Sequence, residues 1–326
     1  MNNFQKIESN EELQDLLDKA LFKTFFHELE WQEFLEKEFK WLKFEHYLYK
    51  DEALLSFGKI GKKLVSLPFC EYGGPLPKEK RGIVLWEQFE RDVFEEFGDN
   101  IKIKFHPHFG ITGPVNASSV LSSHWLTNLE SATEQEIWDS FRKTLRHSIK
   151  NAQKNSLEIK KCQNLADLKK FYNLYIANLK RKKTVPYPFS VIKYLYESPG
   201  SELLLAFYKS KIIAGSLFLD YSYFVHYFLS ASDYKHRDFG ANHLILWEKI
   251  KSLRGQDKIF DLGAAPRGSN LEIFKRGWGG EEKPIYQIGI KRSEEKLRSS
   301  KLRNIWGLLP NFVVKKISPH LIKYRL

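Results

Sequence analysis

The sequence predicts an α/β fold: mixed, partly antiparallel sheets flanked by helices in an α+β order, with the unit occurring twice. Three observations predict it. The apolar period switches repeatedly between helical and strand spacing along the chain. Residues 202–231, "ELLLAFYKSKIIAGSLFLDYSYFVHYFLSA", read as three consecutive strands joined by tight turns. Both halves run helices, then strands, then helix and strand, as two diverged copies of one unit would.

Each element follows in order. Ser9 to Glu12 has the form of a capping box, and Leu13, Leu16 and Leu17 share a face of the helix it opens. A second helix is predicted from Trp31 to Phe39. "FEHYLYK", "EALLSFGKI" and "KKLVSLPF" read as strands. "CEYGGPLPKEK" is a loop, because Gly73, Gly74, Pro75 and Pro77 break regular structure. Residues 83–97 read as a helix, "IKIKFH" as a strand and "SVLSSHWLTNL" as another. Thr133 to Glu136 is a second capping box. It opens one helix with Ile137, Phe141, Leu145 and Ile149 on a stripe, and with Arg142, Lys143, Arg146, His147, Lys150 and Lys154 on its other faces. The domain join falls here. A helix carrying Leu168, Phe171, Tyr172 and Tyr175 inward comes next, then the rigid loop "TVPYPFS" and the three strands. "RDFGANHLILWEKIKSL" is a loop entering a helix, "KIFDLG" a strand, "NLEIFKRGW" a helix and "KPIYQIGI" a strand. The expected divisions are residues 1–150, 151–295 and a basic, amphipathic tail, 296–326.

With 326 residues, 42% hydrophobic and 15% aromatic, the chain has material for more than one core. A net charge of +12 attracts anions such as nucleic acid, nucleotide-linked substrates or an acidic membrane face. Two cysteines, Cys70 and Cys162, rule out a disulfide framework and a cysteine-cluster zinc site, and fit a reducing compartment. The N-terminus carries acids and no apolar h-region, and no apolar run approaches the ~20 residues of a spanning helix. The expectation is a soluble, cytoplasmic chain that can rest on the inner face of the cell membrane.

Several motifs carry chemistry, each beside a plainer explanation. Asp261 to Gly268, "DLGAAPRG", resembles the nucleotide loop of RNA methyltransferases, but that loop follows the first strand of a doubly wound sheet and needs several βα units after it. "HRDFGAN" turns into a helix whose N-terminal amides suit phosphate, with Arg237 beside it; an ordinary glycine turn explains it as well. His106 and His108 lack a third ligand at telling spacing, so they are structural, and no metal is expected. Cys70 has no local histidine partner and reads as a small hydrophobe. Asp261, at a strand end, is a candidate base or a cap for the next turn.

Taken in order, "LVSLPFCEYGGPL", "FRKTLRHSIKNAQKNSLEI", "FYNLYIANL" with "VPYP", "NHLILWEKIKS", "IFDLG" and "LEIFKRGWGG" resemble the FemAB-like transferases of the GNAT superfamily, with a BioF2-like acetyltransferase domain. The "SLPFxxYGG" loop and the tail "IWGLLPNFVVKKISPHLIKYRL" look most like the branch found with exopolysaccharide or exosortase systems. The resemblance implies tandem GNAT-like domains with the acceptor in a cleft. Its best-known members move amino acids from aminoacyl-tRNA to the amine of a peptidoglycan precursor; others are N-acyltransferases. It implies that Lys275 stabilises charge on the transferring carbonyl or leaving oxygen, with Phe274 and Trp278 in the same wall. It places Arg146 on a phosphate, Tyr172 and Tyr187 at substrate positions, and Asn242 and Trp247 on the helix lining the cleft. The coiled-coil arm of some members is missing.

The reaction implied is transfer of an acyl or aminoacyl group to an amine of a cell-envelope precursor. No bound cofactor is implied; aminoacyl-tRNA or acyl-CoA is the donor and enters as co-substrate. The partners are a nucleotide- or lipid-linked precursor, with tRNA and the membrane surface as further candidates and no obligate protein partner. An acyl-CoA-dependent acetyltransferase of the same fold is the alternative. A non-enzymatic anion- or membrane-binding module is another; it would use the net charge and Trp306, Leu309, Phe312 and Val313 of the tail.

Overall fold

The computed structural model describes residues 3–20, 22–78, 86–109, 121–289 and 306–325. Residues 83–85 of the expected helix, 119–120 of the expected strand and 296–305 of the expected tail lie outside these.

The first sheet has seven strands: β1 (Phe4–Ile7), β2 (Leu42–Tyr49), β3 (Ala53–Ile60), β4 (Lys63–Ser66), β5 (Leu76–Pro77), β6 (Ile101–Lys104) and, from far along the chain, β15 (Gln287–Gly289). Its helices are α1 (Asn10–Lys19), α2 (Leu29–Glu38) and α3 (Trp86–Phe97). Ser9 Oγ caps α1 by accepting from the N–H groups of Glu11 and Glu12. Strand alternation sends Leu54 to one face of the sheet and Leu55 to the other.

The second sheet has eight strands, in the order β13, β7, β12, β11, β10, β9, β8, with β14 also on β7. These are β7 (Leu121–Leu126), β8 (Glu158–Lys161), β9 (Ser201–Tyr208), β10 (Lys211–Tyr221), β11 (Phe224–Ser232), β12 (Ile259–Asp261), β13 (Ala265–Pro266) and β14 (Glu281–Ile285). Its helices are α4 (Glu134–Ser140), α5 (Lys143–Lys154), α6 (Leu165–Arg181), α7 (Phe189–Glu197), α8 (Ala241–Ser252) and α9 (Asn270–Arg276). The meander is as expected: β9, β10 and β11 are antiparallel neighbours. β10 is buried on both faces, which explains its unbroken apolar run.

Among the described residues, three clusters form the interior. One lies under α3, around Phe57, Phe89 and Ile103. A second lies between the second sheet and α5 and α8, around Ile149, Ile245 and Trp278. The largest joins the halves, with Trp31 and Leu54 from the first and Phe171, Leu217 and Phe224 from the second. Fully burying one such side chain is worth about 1.5–3 kcal/mol before entropy is counted. A last helix, α10 (Asn311–Leu321), packs on this third cluster through Val314, as does the preceding Trp306.

The sheets divide the chain differently from the expected join at residue 150. β7 and α4 precede that point and α5 straddles it, yet all three go with the second sheet, and β15 follows it yet pairs with β6. The helix expected from Thr133 onward is two helices. It breaks at Phe141 and Arg142, where the Arg142 N–H donates to Gly277 O at 2.9 Å instead of continuing the helix. "KPIYQIGI" is also two strands, β14 and β15, in different sheets. β1, β8 and α7 were not expected from the pattern.

Candidate active site between the sheets

The loop after β4 crosses from the first sheet to the second. It docks on β6 through the Gly73 N–H, which donates to Lys104 O at 3.1 Å. Gly74 has φ +66°, and a Cβ there would press on the Phe105 backbone, so the turn requires glycine. This places Glu71 and Tyr72 against β11, β12 and the turn that follows β12.

Parallel pairing sets His226 of β11 beside Asp261 of β12. Asp261 is fully buried and accepts hydrogen bonds from Tyr72 OH, Ser123 Oγ and the Gly263 N–H. It caps the turn and anchors the loop. Glu71 Oε2 accepts from the Ala264 N–H at 2.6 Å and lies 3.2 Å from His226 Nε2. Tyr72 stacks on His226, with ring centroids 5.5 Å apart.

Lys275 sits in the last turn of α9, where a cation also suits the helix dipole. It is only 3% exposed, and Nζ donates to Ala264 O at 2.8 Å. Gly263 marks where the groups converge. It has φ +77°, and a Cβ there would strike Glu71 Oε2 and come within 3.2 Å of both His226 Nε2 and Lys275 Nζ. Burial pushes the Lys275 pKa below its usual value, against the opposing pull of Glu71 and Asp261. Burial pushes Glu71 up, but Lys275, His226 and the Ala264 N–H outweigh it and hold the carboxyl below its usual value. Burial, with Asp261 adding to it, holds the Tyr72 phenol well above its usual value, so it stays a donor. His226 Nδ1 and Tyr221 OH are buried here without a protein hydrogen bond.

Of the residues named from sequence, Lys275 and Asp261 meet at this point. Tyr187 approaches from the "VPYP" turn: its OH donates to Phe69 O at 3.2 Å, its ring stacks on Phe228, and Phe228 in turn contacts the His226 ring. Tyr172 OH donates to Tyr187 O at 3.1 Å. Trp247 and Trp278 are buried and both pack against Phe141, and Phe274 packs beside Trp278. They form the wall behind α8 and α9. Asn242 is in the first turn of α8, its Oδ1 buried without a hydrogen bond. Arg146 pairs with Asp139 at 2.8 Å, and Arg237 lies over the Tyr234 ring, so their partners are outside the Lys275 group. His106 is packed among the Phe22, Tyr72 and Trp125 rings, and Tyr223 and His108 are hydrogen-bonded.

Glu71, Tyr72 and His226 were not singled out. Tyr72 stood in the "SLPFxxYGG" loop without a role. His226 was legible only as a lone polar residue in the apolar run "YFVHYFL".

The β11 and β12 strands pair in parallel over residues 224–226 and 259–261 and then part, β11 running on to Ser232 while Leu262 donates to His124 O of β7. This opening, within two mixed sheets flanked by helices, defines an acyltransferase fold of the GNAT type. Residues 139–276 match the acetyltransferase (GNAT) domain, and residues 87–185 match the FemAB family. Over these stretches the chain is similar to FemAB-like proteins and to the GNAT acetyltransferase domain. No curated protein matches it. Among solved structures it is similar to FemX, with 13% identity, a TM-score of 0.57, and 90% of this chain and 99% of that chain covered. It is also similar to L-PGS from Bacillus licheniformis, with 14% identity, a TM-score of 0.54, and 92% and 97% covered. The C-terminal domain of a putative lysylphosphatidylglycerol synthetase from Agrobacterium fabrum gives 15%, 0.54, and 88% and 94%. At these identities the likeness is one of fold. Among the described residues no helix is long and apolar enough to cross a membrane.

Proposed function

We propose that the protein transfers an acyl or aminoacyl group to an amine of a cell-envelope precursor, a peptidoglycan peptide or an exopolysaccharide amino sugar. The observation that carries this is the convergence of a buried cation, Lys275, with the Glu71–His226 pair about Gly263. Acyl transfer needs both parts. The attacking amine must lose a proton as its N–C bond forms, and the carbonyl oxygen must be stabilised as it becomes negative. Glu71 and His226 take the proton. Lys275 faces the oxygen. The carbon–oxygen or carbon–sulfur bond to the donor then breaks, and the proton goes to the leaving group.

The donor has two candidates. The FemAB family and the lysylphosphatidylglycerol synthetase likeness favour aminoacyl-tRNA, and the surplus of basic residues suits its phosphates. The opening between β11 and β12 favours an acyl thioester, whose extended arm can hydrogen-bond a strand edge freed of its neighbour. Melting-temperature titrations with aminoacyl-tRNA and with acetyl-CoA separate them, because only the true donor stabilises. Label transfer from that donor to an amine acceptor tests the reaction. A protein stabilised by neither donor, yet bound to anionic vesicles, would instead be a binding module.

A further inference from the structure

We infer a divalent-metal site between α9 and the sheet, formed by His124 of β7, Glu272 of α9 and Glu282 of β14. One ligand atom from each lies within 4.8 Å of the other two. His124 and Glu282 are direct cross-strand neighbours, so their side chains share one face of the sheet. Glu272 descends onto that face from α9.

The histidine is the telling member. It is 1% exposed, and neither ring nitrogen has a hydrogen-bond partner. A buried imidazole normally satisfies at least one nitrogen, so an unpartnered ring beside two carboxylates calls for a ligand. Glu272 is itself 7% exposed. Its Oε2 accepts from the Gly268 N–H at 2.7 Å, which orients the carboxylate as outer partners orient metal ligands. Its Oε1 is 4.0 Å from Arg276 Nη1, and Glu282 Oε1 is 2.9 Å from Arg267 Nη2. Both arginines are about half exposed and free to swing outward.

One imidazole and two carboxylates suit zinc or a neighbouring first-row ion more than magnesium or calcium, which take oxygen sets. Bonds of about 2.0–2.1 Å require the ligand atoms to close by roughly 1 Å, within reach of rotamer changes at the half-exposed Glu282. Three protein ligands leave a position for water. The bound ion ties α9 to β7 and β14 one helical turn from Lys275. The inference needs nothing from the reaction proposed above.

The test uses the full chain, stripped with chelator and dialysed against zinc, with metal measured by mass spectrometry. About one equivalent retained by the parent is expected. Both His124→Ala and Glu282→Gln should weaken zinc binding by at least ~10-fold, and the second leaves the interior untouched. Cobalt loading should give visible absorption in the parent that His124→Ala lacks. Zinc bound equally by the parent and both variants overturns the site, as does no retained zinc. Stabilisation by magnesium or calcium equal to that by zinc overturns the assigned chemistry.

Discussion

Lys275 is costly to hold. Its charge is buried, and the molecule keeps it by placing Glu71 and Asp261 nearby. In the proposed reaction the amine must stay protonated to face an oxyanion, so a depressed lysine pKa predicts an alkaline limb of activity below the ordinary 10.5. Glu71→Gln removes the first of the groups that raise it, so the limb moves to still lower pH; an unmoved limb would separate Glu71 from Lys275. Glu71 itself is held below 4.5. Its contribution to stability is present above pH 4.5 and lost as pH falls through the lower folded value. Lys275 runs in the same direction at higher pH: its burial costs stability while it is protonated, and that cost is relieved as pH rises from its folded pKa toward 10.5. Denaturant titrations across pH check both signs. At this scale the sequence singled out Lys275 and Asp261, which stand in local motifs and lie in one buried cluster. It hid the Glu71–His226 pair, because 155 residues separate partners that meet only when two sheets dock.

Elements follow the sequence where local chemistry decides and depart where a distant group does. Thr133 completes a capping box with Glu136, each satisfying the other's backbone N–H. Thr133→Ala should cost about 1 kcal/mol in a urea titration. No such signal marks the break at Phe141 and Arg142, because the Gly277 carbonyl that ends the helix lies 135 residues on. The split of "KPIYQIGI" is equally silent, since both pieces have strand character and only tertiary pairing separates them. Gly240, expected as a turn, enters α8 at φ +72°, where a Cβ would strike the Ser148 carbonyl of α5. Gly240→Ala should therefore destabilise by about 1–3 kcal/mol. It should weaken donor binding more than Thr133→Ala does, as seen in the Kd of each variant.

For the molecule as a whole, the two sheets are fastened by exchange. β15 returns to the first sheet, the loop carrying Glu71 and Tyr72 reaches the second, and α10 covers their shared core. Doubled α/β architecture was legible because each half repeats its element order; the exchange was not, because it leaves no local pattern. Of the four tail residues considered for a membrane, Trp306 is 7% exposed and donates from Nε1 to Thr184 O at 3.2 Å, and Leu309 packs on the core; Phe312 is 73% exposed. Trp306→Ala should cost about 3–5 kcal/mol in unfolding measurements.

The most direct test of Lys275 as the oxyanion cation is turnover of Lys275→Ala with whichever donor raises the melting temperature. The account predicts a fall of ~10²–10³ in kcat with donor binding retained. Undiminished kcat in a folded Lys275→Ala protein would contradict it.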